Sequence, residues 1–355
     1  GNGVNISGNI TDGVISGSAT GNGAGVDISG DSTLINTTVN GNGTDGSGVN
    51  ISGNLSNSGN STVTGNASGN GNGVNISGNI TDGVISGSAT GNGAGVDISG
   101  DSTLINTTVN GNGTDGSGVS ISGNLSNSGN STVTGNASGN GNGVNISGNI
   151  TDGVISGSAT GNGSGVDISG DSTLTNTTVS GNGTDGSGVN ISGNLSNSGN
   201  STVTGNASGN GTGVDINGTV TGGDITGNAS GNGNGVNISG NITDGVISGS
   251  ATGNGAGVDI SGDSTLINTT VNGNGTDGSG VNISGNLTNS GNSTVTGNAS
   301  GNGNGVNISG NITDGVISGS ATGNGSGVDI SGDSTLTNTT VSGNGTDGSG
   351  VNISG

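Results

Sequence analysis

The chain has 355 residues, 89 of them Gly, with no Lys, Arg, His, Pro, Cys, Met, Phe, Tyr or Trp, and a net charge of −22. Without basic side chains it lacks the electrostatic attraction on which nucleic-acid binding depends, and anionic lipid repels it, so nucleic acid and anionic membrane surfaces are excluded as partners. Cysteine gives no disulfide framework and no sign of redox compartment, and no apolar run approaches the roughly 18 to 20 residues of a membrane span.

A hydrophobic content of 23% would read as disorder if totals decided, because little apolar surface opposes chain entropy. The order of residues says otherwise. The string GNGVNISGNITDGVISGSAT begins at Gly1, Gly71, Gly141, Gly233 and Gly303, a 70-residue repeat with one 92-residue interval. Inside it the signature G-V-[N/D/S]-I-[S/N]-G recurs every 22 to 25 residues, sixteen times from Val4 to Val351. The long interval is one repeat plus one extra 22-residue unit at about 211–232, so the smaller unit is the structural coil.

Within a unit, the first element alternates Val4, Ile6 and Gly8 with polar Asn5 and Ser7, which predicts a strand. Ile10, Leu55 or Val220 next marks a short strand or an inward corner. The following segment alternates Ile15, Gly17 and Ala19 with Ser16, Ser18 and Thr20. Across unit types it aligns with Ile35-x-Thr37-x-Val39, Val63-x-Gly65-x-Ala67 and Ile225-x-Gly227-x-Ala229. Length varies between these segments: 6 residues in the first type (Asn9 to Val14), 4 in the second (Asp31 to Leu34), 9 in the third (Asn54 to Thr62). Glycine and asparagine fill these corners because a tight turn needs φ > 0.

One such unit cannot bury its aliphatics alone, whereas stacking places each on its counterpart about 4.8 Å along an axis. The expected fold is all-β, a right-handed parallel β-helix or β-solenoid of about sixteen coils, continuous over 1–355 and roughly 75 Å long. It starts and stops in mid-repeat, which predicts no caps and a place in a longer shaft. The residue between Val and Ile runs Asn5, Asp27, Asn50, Asn75, Asp97, Ser120, Asn145, Asp167, and onward with no two Asp adjacent. Stacked carboxylates would repel, while Asn or Ser between them donates hydrogen bonds.

Asp is the only titratable side chain, so acid–base, nucleophilic and cofactor chemistry have no equipment and no enzyme is expected. Asp27 with Asp31 could form a carboxylate pair, but repeated in five copies it reads as surface charge. The calcium nonapeptide and the EF-hand string are absent, which leaves Asp27, Asp31 and Asp45 at most as a weak calcium site and predicts no dedicated metal site. Thr37, Thr38, Thr62 and Thr64 suggest an ice-binding ladder, though their columns hold Ser, Gly and Asn as well.

Asn-x-Ser/Thr sequons begin at Asn5, Asn9, Asn36, Asn42, Asn50, Asn54, Asn60 and Asn66, eight of the thirteen asparagines in residues 1–70 and above chance. They are candidate N-glycosylation sites. Strand alternation alone also generates such strings, because an outward Asn, an inward aliphatic and an outward Ser follow one another.

Over the whole chain, GVNISG followed by STVTGNAS resembles the repeat shafts of filamentous-haemagglutinin-type exoproteins of the two-partner secretion route. That resemblance implies a right-handed parallel β-helix, export through an outer-membrane transporter recognised by a domain outside these residues, and secretion to the bacterial surface. It further implies adhesion to host cell-surface glycans or glycoproteins, and relatives glucosylated at Asn-x-Ser/Thr. The alternative is a structural or matrix filament formed by end-to-end self-association of exposed coil ends.

Overall fold

The computed structural model describes Gly1–Gly355 and contains strands, turns and no helix. Contacts divide it into two units, Gly1–Ser180 and Gly181–Gly355, each a parallel β-solenoid. In each unit eight V-x-I strands form one ladder, from Val4–Ile6 to Val166–Ile168 in the first and from Val189–Ile191 to Val351–Ser354 in the second. Pairing is parallel and in register, Val on Val and Ile on Ile, as in Val4↔Val26↔Val49 and Val236↔Val258↔Val281. Val26, Ile28, Val49 and Ile51 are fully buried, while the residue between each Val and Ile is at the surface. That burial is the main driving force, because β-branched side chains on a pleated ladder remove the most apolar area that this composition offers.

After the V-x-I strand come a short strand (Ile10–Thr11, Leu55–Ser58, Val220–Thr221) and a longer one (Val14–Ala19, Thr38–Gly43, Thr62–Ala67), which in some coils run on as one, as in Ile80–Ala89 and Ser102–Gly113. The first strand does not extend to Gly8, since it ends at Ile6 and both Ser7 and Gly8 are exposed. At the same position the second unit type turns left-handed, Gly30 having φ +76°, whereas Gly8 and Gly53 do not.

The longer strand corrects the alignment made from sequence for the second unit type. Ile35-x-Thr37-x-Val39 does not lie on Ile15-x-Gly17-x-Ala19: Val39 pairs with Ile15, Gly41 with Gly17 and Gly43 with Ala19, and the same three then pair with Val63, Gly65 and Ala67. The segment between the turn glycine and this strand is therefore longer in the second type than the four residues counted from Asp31 to Leu34. Glycine decides the register. A Cβ at Gly17, Gly41 or Gly65 would overlap the carbonyl of Gly25, Gly48 or Gly73, where the chain enters the next V-x-I strand. Only glycine lets the longer strand approach so closely, and a register four residues off would put a side chain in that space.

Between short and longer strands the chain bends through a left-handed residue, Asp12 (φ 52°), Asn36 (φ 47°) or Gly59 (φ 66°) in the first three coils, and in some later coils through two, as at Asp82 and Gly83 or Gly222 and Gly223. Asp, Asn and Gly are the residues that tolerate this conformation, so the predicted chemistry of the corner holds, with Asp added. Buried hydroxyls satisfy the backbone of the bend. Thr37 Oγ1 donates to Ile35 O at 2.8 Å, and Ser61 Oγ donates to Ser58 O at 2.9 Å while accepting from Thr37 N–H at 3.2 Å.

The short ladder carries a feature that sequence reading missed. Ser32 pairs with Leu55 and Leu34 with Asn57, so Asn57 and its counterpart Asn127 point inward, at 2% and 1% exposure. Asn127 Nδ2 donates to Asp152 O at 3.1 Å, and its Oδ1 has no partner. The signal was present as period-two spacing, Leu55-x-Asn57, inside a run that reads as polar turn.

Candidate functional site

The surface of each unit is built from columns of equivalent residues, one from each coil. Carboxylates occupy four recurrent columns: Asp27 between Val and Ile, Asp31 after the turn glycine, Asp12 at the left-handed corner, and Asp45 in the loop before the next V-x-I strand. The first three meet an amide of a neighbouring coil. Asn50 Nδ2 donates to Asp27 Oδ1 at 2.7 Å, Asn54 Nδ2 to Asp31 Oδ1 at 2.9 Å, and Asn36 Nδ2 to Asp12 Oδ1 at 3.0 Å. The spacing of Asp by Asn read from the sequence is therefore an axial ladder of charge-assisted hydrogen bonds. It recurs in the second unit, where Asn237 donates to Asp215 and Asn282 to Asp259, both at 2.7 Å.

Asp97 departs from this scheme because Ser120 stands where Asn50 stands one repeat earlier. Burial raises the Asp97 carboxyl above the usual aspartate value, and the hydrogen bond with Ser120 pulls it back down. Asp97 and Asp115 share a shallow depression of about 510 Å³ whose other polar lining is Asn and Ser.

Asp27, Asp31 and Asp45 do not come together. No group of three or more carboxylates is placed to hold a metal ion, and Asp27 and Asp31 answer separate asparagines rather than forming an acid–base pair. A depression of about 600 Å³ lies at the inserted coil, lined among others by Asn200, Asp224, Asp244 and Asn268, where Gly223 leaves the surface without a side chain.

All eight sequon asparagines are at the surface: Asn5, Asn9, Asn36, Asn42, Asn54, Asn60 and Asn66 exposed, and Asn50 half-buried. The amides of Asn36, Asn50 and Asn54 donate to carboxylates, and Asn66 Nδ2 donates to Asn42 Oδ1 at 3.2 Å. In the folded chain, attachment of a sugar to these amide nitrogens would compete with the ladders that join coil to coil.

The candidate ice-binding residues separate. Thr37 is fully buried at the bend. Thr38 and Thr62 lie in one outward column of the longer strand, Val14–Thr38–Thr62–Val84–Thr108–Thr132, which is β-branched throughout. Thr64 lies in the next column with Ser16, Asn40 and Ser86, and a third holds Ser18, Asn42, Asn66 and Ser88. Over the first unit this face carries no charge. In the second unit its one carboxylate is Asp224, between Thr202 and Val246.

Scans of protein-family models, of curated proteins and of solved structures find no match to this chain. The resemblance to two-partner exoprotein shafts accordingly stands on GVNISG and STVTGNAS alone.

Proposed function

We infer that this chain is the shaft region of a secreted surface adhesin, a glycoprotein that attaches its cell to host-surface glycans or glycoproteins and is not an enzyme. The observation that carries this is the in-register stacking of one small coil type upon another in both units, Val on Val and Ile on Ile. Such an array gains length by adding coils without redesign of the core. Its surface has no Trp, Tyr or Arg, the residue types that dominate tight contact sites, so any recognition by the shaft itself is weak per coil and gains strength through repetition. Surface placement of the sequons supports sugar attachment, which adds bulk and solubility to a secreted surface.

The test is binding of the chain, recovered from its natural source, to host-cell surfaces, read together with its intact mass. Saturable binding by a chain heavier than its sequence by whole hexoses is the expected result. A chain of unmodified mass that binds no cell surface and grows into open-ended fibres with concentration would overturn the adhesin in favour of the matrix filament.

A further inference from the structure

The charge of this chain is distributed by face. The recurrent Asp columns lie on the V-x-I side, in the loop before it, at the turn that follows it and at the left-handed corner, while the outward face of the longer strands in Gly1–Ser180 has none. That face presents Val and Thr in its first column, Ser, Asn and Thr in its second, and Ser and Asn in its third, on parallel strands in register. Exposed valines stand out in it, Val14 at 72%, Val84 at 38% and Val154 at 44%.

We propose that this neutral face is the docking surface for a second copy of the same chain, packed face to face as sheet on sheet. The argument is first electrostatic. Two chains of charge −22 repel wherever carboxylate columns approach each other, and in the first unit this face is where two copies meet without opposing like charges. Geometry agrees. Six residues at about 3.3 Å and seven coils at about 4.8 Å give a face of about 650 Å² per partner, so about 1,300 Å² for the pair. That lies within the range of about 1,200 to 2,000 Å² for specific stable interfaces. The short side chains suit the roughly 10 Å separation of stacked sheets, with Val and Thr as interdigitating knobs. A self-complementary face of this kind closes as a two-fold dimer, so the assembly is finite, unlike an end-to-end filament.

Asp224 fits as a charge that blocks pairing on the second unit's face. It replaces the Val or Thr of the first outward column in the one coil that interrupts the repeat, and a carboxylate on an otherwise neutral sheet face is a recognised guard against unwanted association. The proposal holds for the chain without sugars on Asn42 and Asn66, which lie in the third column of this face and would carry them into the interface.

The experiment is sedimentation velocity on the full chain of unmodified mass, at low salt and at about 0.5 M salt, where screening is strong. A monomer–dimer equilibrium that tightens as salt rises is expected. The double variant Thr64→Asp/Thr134→Asp should weaken it at least tenfold. Ser52→Asp/Ser122→Asp, which adds the same charge at exposed positions beyond the V-x-I strands, should change it little, and Asp224→Thr, which leaves the first unit's face as it is, should not weaken it. Circular dichroism is the check that each variant keeps its β signal. A chain monomeric at both salt concentrations overturns the proposal, as does equal weakening by the two double variants. A monomer that produces thermal hysteresis also overturns it and assigns the face to ice.

Discussion

Replacing Gly135 by Val should destabilise the chain by about 3 kcal/mol, the upper range for overpacking, and should remove the single cooperative transition in guanidinium. A Cβ at this position would fall on the carbonyl oxygen of Gly143 and lie 2.8 Å from Val144 Cγ2. Neither the backbone of one coil nor the buried valine of the next can rotate away, so the two faces of the solenoid must separate locally. In a stack where each coil contacts mainly its neighbours, such a break divides the array, and the transition should become broad or biphasic. Far-ultraviolet circular dichroism is the probe, because the chain has no aromatic side chain to report by fluorescence. Gly100→Asn is the contrast. Gly100 has φ +77° with nothing within 4 Å of an added Cβ, and Asn tolerates that conformation, so the cost should stay below about 1 kcal/mol.

Excising residues 211–232 should leave a folded solenoid whose melting temperature moves by only a few degrees, whereas excising 211–221 should abolish the fold of the second unit. The whole-coil deletion joins Asn210 to Gly233 and restores the sequence found at Asn70–Gly71. Leu195, which pairs with Val220, would then face Ile242 as Leu125 faces Ile150, and Thr202 would face Val246 as Thr132 faces Val154. Every new contact already exists elsewhere in the chain, so only one coil and one interface are lost from an approximately additive sum. The half-coil deletion removes the strand Val214–Ile216 but leaves its partners, so buried ladders lose their register and backbone groups lose their hydrogen bonds. Thermal melts of the two deletions give the comparison.

Val4 and Ile6 announced their ladder in the sequence because a spacing of two with a recurrence of 22 to 25 leaves no competing arrangement for β-branched residues. Asn5, Asp27 and Asn50 likewise announced the spacing of charge, which the amide-to-carboxylate bonds now explain. The second unit type was harder. Ile35 and Val39 are both aliphatic and both fit alternation, and only the steric demand at Gly41, which comes from a distant carbonyl, selects Val39. Asn57 was missed for a related reason. Its inward position follows from Leu34 below it and the bend beside it, neither visible in a run of Ser and Asn. The neutral face escaped notice too, because Thr38, Thr62 and Val84 belong to different unit types and become one column only when the coils are aligned through the correct glycine.

Spin labels on Ser16→Cys and Ser156→Cys, in a chain that has no other cysteine, test the stacking of coils most directly. Both side chains belong to one outward column of the first unit, joined in register through Asn40, Thr64, Ser86, Asn110 and Thr134. Six steps of about 4.8 Å place the labels about 29 Å apart. A narrow distance distribution near that value, measured by pulsed electron paramagnetic resonance, is the result that parallel in-register coils require. A broad distribution centred near 65 Å, the span of a flexible glycine-rich chain of that length, would contradict the solenoid.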